Sequence, residues 1–269
     1  MLKKKARWVR TKVLNTIARL RKGHLGGTLS CTDLLVALYY GKIMRFDAAN
    51  PNWSERDRFL IGKGHAHLAL YYIWTDLGFF DVRKLEEYGT DGSSLGFQLD
   101  RNIPGSEYNT GSLGHVIGIG AGMALAAKMD RKAYKTIVLV GDGECDEGSI
   151  WEAVMFASRY RLNNLMTIVD RNQATVIENR VEDDGSGRLE EKFKMCGWES
   201  ITINGHSFEQ ILSAFTGLEK FNRPLAIIAD TVKGKGASFL EQGAKWHHLV
   251  PSAEEFDRVI REFELEAET

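Results

Sequence analysis

Asp142 lies between Gly141 and Gly143, and Asn172 follows thirty residues later; each comes just after a short apolar run, Thr136–Val140 and Leu165–Val169. A carboxylate, an amide oxygen and nearby main-chain carbonyls are hard oxygen donors. Such a set suits Mg²⁺ or Ca²⁺, with the phosphates of a ligand completing the octahedron. If the two runs are neighbouring parallel strands joined by a helix beginning near Glu147, their carboxyl ends lie about 5 Å apart. Asp142 and Asn172 then converge on one point. Gly141 and Gly143 let the main chain turn sharply and approach a ligand, and the N–H groups opening the next helix favour an anion. The Gly-Asp-Gly triplet alone also fits an ordinary strand–turn–helix. The asparagine at this spacing, with a strand before each residue, is what makes the pair specific.

Seven histidines offer a second group of chemical candidates, and most stand beside glycines rather than inside apolar periodicity. His24 is in "KGHLGG", His65 and His67 in "GKGHAH", His115 in "GSLGH", His206 in "INGHS", and His247 and His248 in "KWHHLV". A glycine-flanked loop histidine can reach a ligand without its own helix intervening. His67 is expected to begin a helix and His206 to belong to a turn, so both are read as structural.

The elements that must hold these residues alternate. Helical patterns span Ala6–Leu20, Cys31–Tyr40, His67–Leu77, Val82–Glu87 and Leu113–Met129. Strand-like runs follow at Thr136–Val140, Leu165–Val169, Glu199–Ile203 and Leu225–Asp230, with helices between them. This order predicts an α/β fold, a parallel sheet with helices on both faces, and a single domain over residues 1–269. Ligands of such sheets sit at the carboxyl ends of the strands. The glycine-rich "GIGIGAGMALAAK" lacks the acidic partner of a dinucleotide site, so close helix packing explains it better. "TVKGKG" lacks the full phosphate-loop pattern, which excludes a nucleotide kinase. "VEDDGSGRLEE" reads as an exposed, solvated acidic loop.

Bulk properties remove other classes. With 35 basic and 36 acidic residues, the net charge of -1 gives no field for nucleic acid. The three cysteines, Cys31, Cys145 and Cys196, are scattered without CxxC spacing, which favours a reducing compartment over disulfides or zinc. No apolar run approaches the roughly 18 residues that span a bilayer. The basic opening "MLKKKARWVRTKVLNTIARL" predicts an amphipathic surface helix, not a targeting segment. A cytoplasmic enzyme is the expectation, without membrane or nucleic-acid partners.

Taken in order, "GHLGG", "GKGH", "TGSLGH", "GDGECDEG", "DRN" and "KGKGASFLE…KWHH" resemble the successive motifs of transketolases, from about Arg7 to about Pro251. The resemblance implies the thiamine diphosphate-binding fold, with thiamine diphosphate and Mg²⁺ as cofactors and Ca²⁺ as a possible substitute. It places the metal on Asp142, Asn172 and the carbonyl of Ala174, and the diphosphate beside His65, Gly141, Gly143 and His247. Leu113 and Gly114 would line the thiazolium and diphosphate side. His24 and His247 would face the donor's hydroxyls and assist proton transfer. Glu147 would stand at the contact with a partner, near the cofactor's pyrimidine.

Transketolases carry the glutamate that activates the pyrimidine on a second domain, for which this sequence has no counterpart. The expectation is therefore the N-terminal subunit of a split transketolase, completed by a C-terminal subunit in an α₂β₂ assembly. Its substrates would be a ketose, such as a sugar phosphate, and an aldehyde, with transfer of a two-carbon ketol unit. One departure stands out. Where the family commonly has "GGHPD", whose histidine contacts the donor, this sequence reads "GFQLD", which puts Gln98 at that position. A glutamine can hydrogen-bond but cannot act as a cation. That leaves open a modified ketose or a 2-oxo acid such as pyruvate as donor. A non-catalytic half that binds a partner is the reading from another class, and the intact histidines and metal ligands argue against it.

Overall fold

The computed structural model describes residues 1–172, 188–216, 222–242 and 250–268. Five strands, β1 (Arg58–Ile61), β2 (Thr136–Gly141), β3 (Leu165–Arg171), β4 (Glu199–Asn204) and β5 (Leu225–Asp230), form one sheet in the order β1-β2-β3-β5-β4. Every pairing is parallel. The α/β expectation holds, and β2 and β3 are direct neighbours, with Gly141 opposite Asp170.

Both faces of the sheet are buried, which is why its central strands read as unbroken apolar runs. Alternation along β2 sends Ile137 and Leu139 into one core and Val138 and Val140 into the other. The first core is covered chiefly by α1 (Leu2–Leu20), α3 (Thr32–Tyr40) and α4 (His67–Leu77). Along α1, Ala6, Val9, Val13, Leu14 and Ile17 make the apolar stripe, as its sequence predicted for an amphipathic helix. The second core lies under α6 (Val116–Met129), α7 (Gly148–Arg159) and α8 (Leu189–Met195). Gly120 of α6 rests directly on β2, since a Cβ there would meet Val138 Cγ2 at 2.6 Å. The glycines of "GIGIGAGMALAAK" thus include one that serves helix–sheet packing.

Some boundaries differ from expectation. The helix predicted from Leu113 begins only at Val116, because Gly111 and Gly114 have φ of 140° and 88° and keep that stretch as a loop. The short α5 spans Arg83–Glu86. Strand β1, the six-residue α2 (Leu25–Ser30) and the C-terminal α10 (Ala253–Glu268) were not predicted. α9 (Phe208–Ala214) fills the connection from β4 to β5. Of "VEDDGSGRLEE", residues 181–187 lie outside the described residues. The three cysteines are free. Burial raises the thiols of Cys31 and Cys145, so neither offers a thiolate at neutral pH. Among the described residues, no helix is long and apolar enough to cross a membrane.

Candidate active site

The loops leaving β1, β2, β3 and β5 at their carboxyl ends carry most of the chemically eligible residues. Leaving β2, the N–H of Asp142 donates to the Asp170 carbonyl of β3 (3.3 Å), and the N–H of Asn172 donates to the same oxygen (3.2 Å). One carbonyl therefore gathers the carboxylate and the amide at adjacent strand ends. The Asp142 side chain is 4% exposed, and its Oδ1 accepts from the Gly143 N–H at 2.9 Å.

Beneath them is a buried polar floor. Lys63, in the turn after β1, donates to Asp170 Oδ2, and Ser30 Oγ donates to the same oxygen at 2.7 Å. Thr231, just past β5, donates to Asp170 Oδ1. Burial opposes the charge of Asp170, but Lys63 and these hydroxyls outweigh it and hold the carboxyl below its ordinary range. Burial likewise opposes the Lys63 ammonium, yet Asp170, Cys31 and Asp142 raise its pKa above the ordinary value. Lys233 is also buried. Desolvation, then the charge of Lys63, lower its pKa against the pull of Asp142 and Asp170. Two buried lysines thus stand within electrostatic reach of two buried carboxylates, a charge-balanced cluster at the strand ends.

The histidine loops meet above this floor. His24 caps α2, His65 follows Lys63 and Gly64, and their rings lie 5.1 Å apart. At Gly27 a Cβ would come within 3.2 Å of His65 Nε2 and 3.5 Å of Lys63 Nζ, so the glycine leaves a hollow between these groups. Leu113 is exposed, while Gly114 packs against the start of α7, where a Cβ would meet Glu147 and Ser149 at 2.7 Å. Glu147 itself is exposed, beside that turn. Gln98 Oε1 accepts from Thr110 Oγ1 (3.0 Å), and a Cβ on Gly64 would overlap both groups. The "GFQLD" segment thus runs against the turn that carries His65.

Two histidines stay outside this group, as expected. His67 begins α4, with its ring between the Gly64 carbonyl (3.0 Å) and Tyr88 OH (2.8 Å), and burial lowers its pKa to about 4. His206, in the turn after β4, accepts from the Val232 N–H at Nε2, which leaves Nδ1 to donate to Asp33 at 2.7 Å. Asp33 in turn receives both guanidinium Nη atoms of Arg10. His247 and Ala174 lie outside the described residues. Lys63, Asp170, Lys233 and Glu144 join the site without standing among the candidates named from the sequence. The signals were there: a lysine inside "GKGH", an aspartate opening "DRN", and a second acid directly after the Gly-Asp-Gly triplet.

The donors fit a metal-bound diphosphate. Among the described residues no three His, Cys, Asp or Glu side chains gather as a metal cluster. One carboxylate and one amide, backed by buried lysines, suit a cation that shares its coordination with ligand phosphates. A parallel α/β sheet that presents such a set at its carboxyl ends suits a diphosphate-binding domain. Comparison makes the class specific. The family model for the transketolase, thiamine diphosphate binding domain, matches residues 2–268, and the chain belongs to that family. It is 41% identical over 254 residues to an apulose-4-phosphate transketolase subunit of Phocaeicola vulgatus, covering 94% of this chain and 90% of that protein. It is 37% identical over 267 residues to a 6-deoxy-6-sulfo-D-fructose transketolase subunit of a Clostridium species, covering 98% and 97%. The transketolase structure of Campylobacter jejuni superimposes with a TM-score of 0.89 at 28% identity over 98% of this chain. The chain spans 42% of that longer protein.

Proposed function

We propose that this chain is the diphosphate-binding subunit of a two-component transketolase, which moves a two-carbon ketol unit from a ketose to an aldehyde. The observation that carries this reading is the shared Asp170 carbonyl, which draws Asp142 and Asn172 together at the ends of β2 and β3. Asp142, Asn172 and the carbonyl of Ala174 would hold Mg²⁺, or Ca²⁺ in its place. His65 and His247 would approach the diphosphate, with Gly141, Gly143 and Gly114 admitting it closely and Leu113 beside the thiazolium. When bound, thiamine diphosphate supplies the electron sink for breaking the carbon–carbon bond. The chain supplies position and proton transfer, with His24 and His247 taking the proton from the donor hydroxyl. The reaction belongs in the cytoplasm.

The partner would be a C-terminal transketolase subunit with the pyrimidine-binding domain, in an α₂β₂ assembly, and Glu147 would stand at the contact. Support comes from the two relatives matched over 90% and 97% of their own length, both named as transketolase subunits. The test is reconstitution. The purified chain with thiamine diphosphate and Mg²⁺ is expected to show no ketol transfer, and addition of the partner is expected to restore it. Turnover by the chain alone, shown free of partner by mass spectrometry, overturns the two-component reading.

Gln98 bears on the donor. Its contact with Thr110 and its closeness to Gly64, the residue before His65, favour a place in the substrate wall over a distant loop. A hydrogen bond read in a water-poor site is worth about 1–3 kcal/mol, so Gln98→His is expected to shift relative kcat/KM about tenfold between a hydroxymethyl ketose and pyruvate. Both donors are assayed with the reconstituted enzyme. An unchanged ratio makes Gln98 a loop residue and removes the reason to expect an unusual donor.

A further inference from the structure

Glu144 is a buried carboxylate, 3% exposed, in the short helical turn directly after Asp142 and Gly143. Its two oxygens divide between two loops. Oε1 accepts the Gly114 N–H at 3.0 Å, and Oε2 accepts the Gly141 N–H at 3.3 Å. A third loop closes over it, since a Cβ on Gly62 would overlap both carboxylate oxygens. Gly62 opens the turn that carries Lys63 and His65, and Gly114 follows Leu113. Gly141 precedes Asp142. One side chain thus touches all three loops, and each loop holds a residue assigned above to the diphosphate and its metal.

We propose that Glu144 is a positioning residue that ties the His65, Leu113–Gly114 and Asp142 loops into one arrangement and so prepares the diphosphate site. The proposal rests on the cofactor reading given above. Burial pushes the Glu144 carboxyl up to about 7, and the Gly114 and Gly141 N–H groups oppose that by favouring the charged form, which is acceptor-only at both oxygens and can serve two N–H donors at once. Glutamine has the same reach, but its amide NH₂ would face one of the two N–H groups, so only one bond survives. Alanine leaves the buried Gly114 N–H without its carboxylate acceptor, a state that folded proteins avoid.

Amide hydrogen exchange on the full chain without cofactor tests the tie, and calorimetry of the chain reconstituted with its partner subunit, with thiamine diphosphate and Mg²⁺, tests its consequence. Glu144→Ala is expected to speed exchange at residues 62–66 and 111–115 and to weaken cofactor affinity, each by about tenfold to a hundredfold, the size of two lost buried hydrogen bonds. Glu144→Gln should fall between Glu144→Ala and the wild type in both measurements. Gly62→Ala should reproduce the loosening by pushing the carboxylate aside. In the Glu144→Ala background, where nothing remains to displace, it should add little. Additive effects of the two alanine substitutions overturn the proposal. So does unchanged loop exchange, and so does a loss of protection that reaches β5, which would make Glu144 a general stability group. Loosened loops with unaltered affinity, in a wild type that binds, also overturn it. If the wild type reconstituted with its partner subunit binds no thiamine diphosphate, the cofactor reading fails, while the exchange data on the chain still decide whether Glu144 ties the loops.

Discussion

Asp142→Ala is expected to abolish Mg²⁺-dependent binding of thiamine diphosphate while leaving the domain folded. The carboxylate is the only charged oxygen ligand in the assigned metal set, because Asn172 and the carbonyl of Ala174 contribute neutral oxygens. Without it the cation has no protein carboxylate among its assigned ligands, since Asp170 is already paired with Lys63. Groups that merely orient metal ligands cost about 10–100-fold in affinity when removed, so loss of the charged ligand should cost about 100-fold or more. The fold is spared for a structural reason. The link to β3 runs through the Asp142 main-chain N–H, which alanine keeps, and the side chain belongs to neither apolar core. Calorimetry on the wild type and the variant, each reconstituted with the partner subunit, checks the result, with a chelator as control. The chelator should depress binding to the wild type and leave the variant unchanged. Equal cofactor affinity in the two proteins would remove Asp142 from the metal site.

Much of this site was legible in the sequence because its signals are local. Glycines mark where the main chain must turn or approach a ligand, apolar runs mark strands buried on both faces, and Asp142 and Asn172 each follow such a run. The two structural histidines could also be set aside, since His67 begins a helix and His206 belongs to a turn. What stayed hidden depends on long-range pairing. Strand β1 has only four residues, Arg58–Ile61, too few to display a period. The alternating β4 (ESITIN) against the unbroken apolar β5 (LAIIAD) marks an edge and an interior strand, but the order of the other strands is set by crossover connections. The acids and lysines beneath the site were hidden for the same reason. Lys63 and Asp170 are 107 residues apart, and each alone looks like a solvated charge at a strand end. Glu144 likewise reads as one more acid in "GDGECDEG" until Gly62 and Gly114 close over it.

Lys63→Met should bring the largest loss of stability of any single substitution considered. Asp170 is 0% exposed, and among the described residues its charged partner is Lys63. Methionine fills nearly the same volume, so the effect isolates the charge rather than a cavity. Ser30, Thr231 and Asn172 still offer hydrogen bonds to the carboxylate, but none of them neutralises it. Breaking a buried pair by removing one partner costs about 3–5 kcal/mol, because the remaining charge is desolvated without compensation. For a chain of this size that corresponds to a fall in Tm of roughly 10 °C. The control is the double substitution Lys63→Met with Asp170→Asn. It removes both charges and keeps an amide able to accept from Ser30 or Thr231, so much of the lost stability should return. Thermal unfolding of the wild type, both single variants and the double variant completes a double-mutant cycle. A single-variant loss near zero, or no recovery in the double variant, would show that the pair is not what supports the floor of the site. Recovered stability with cofactor binding still weak would show that the charge of Lys63 serves binding as well as holding Asp170 in place.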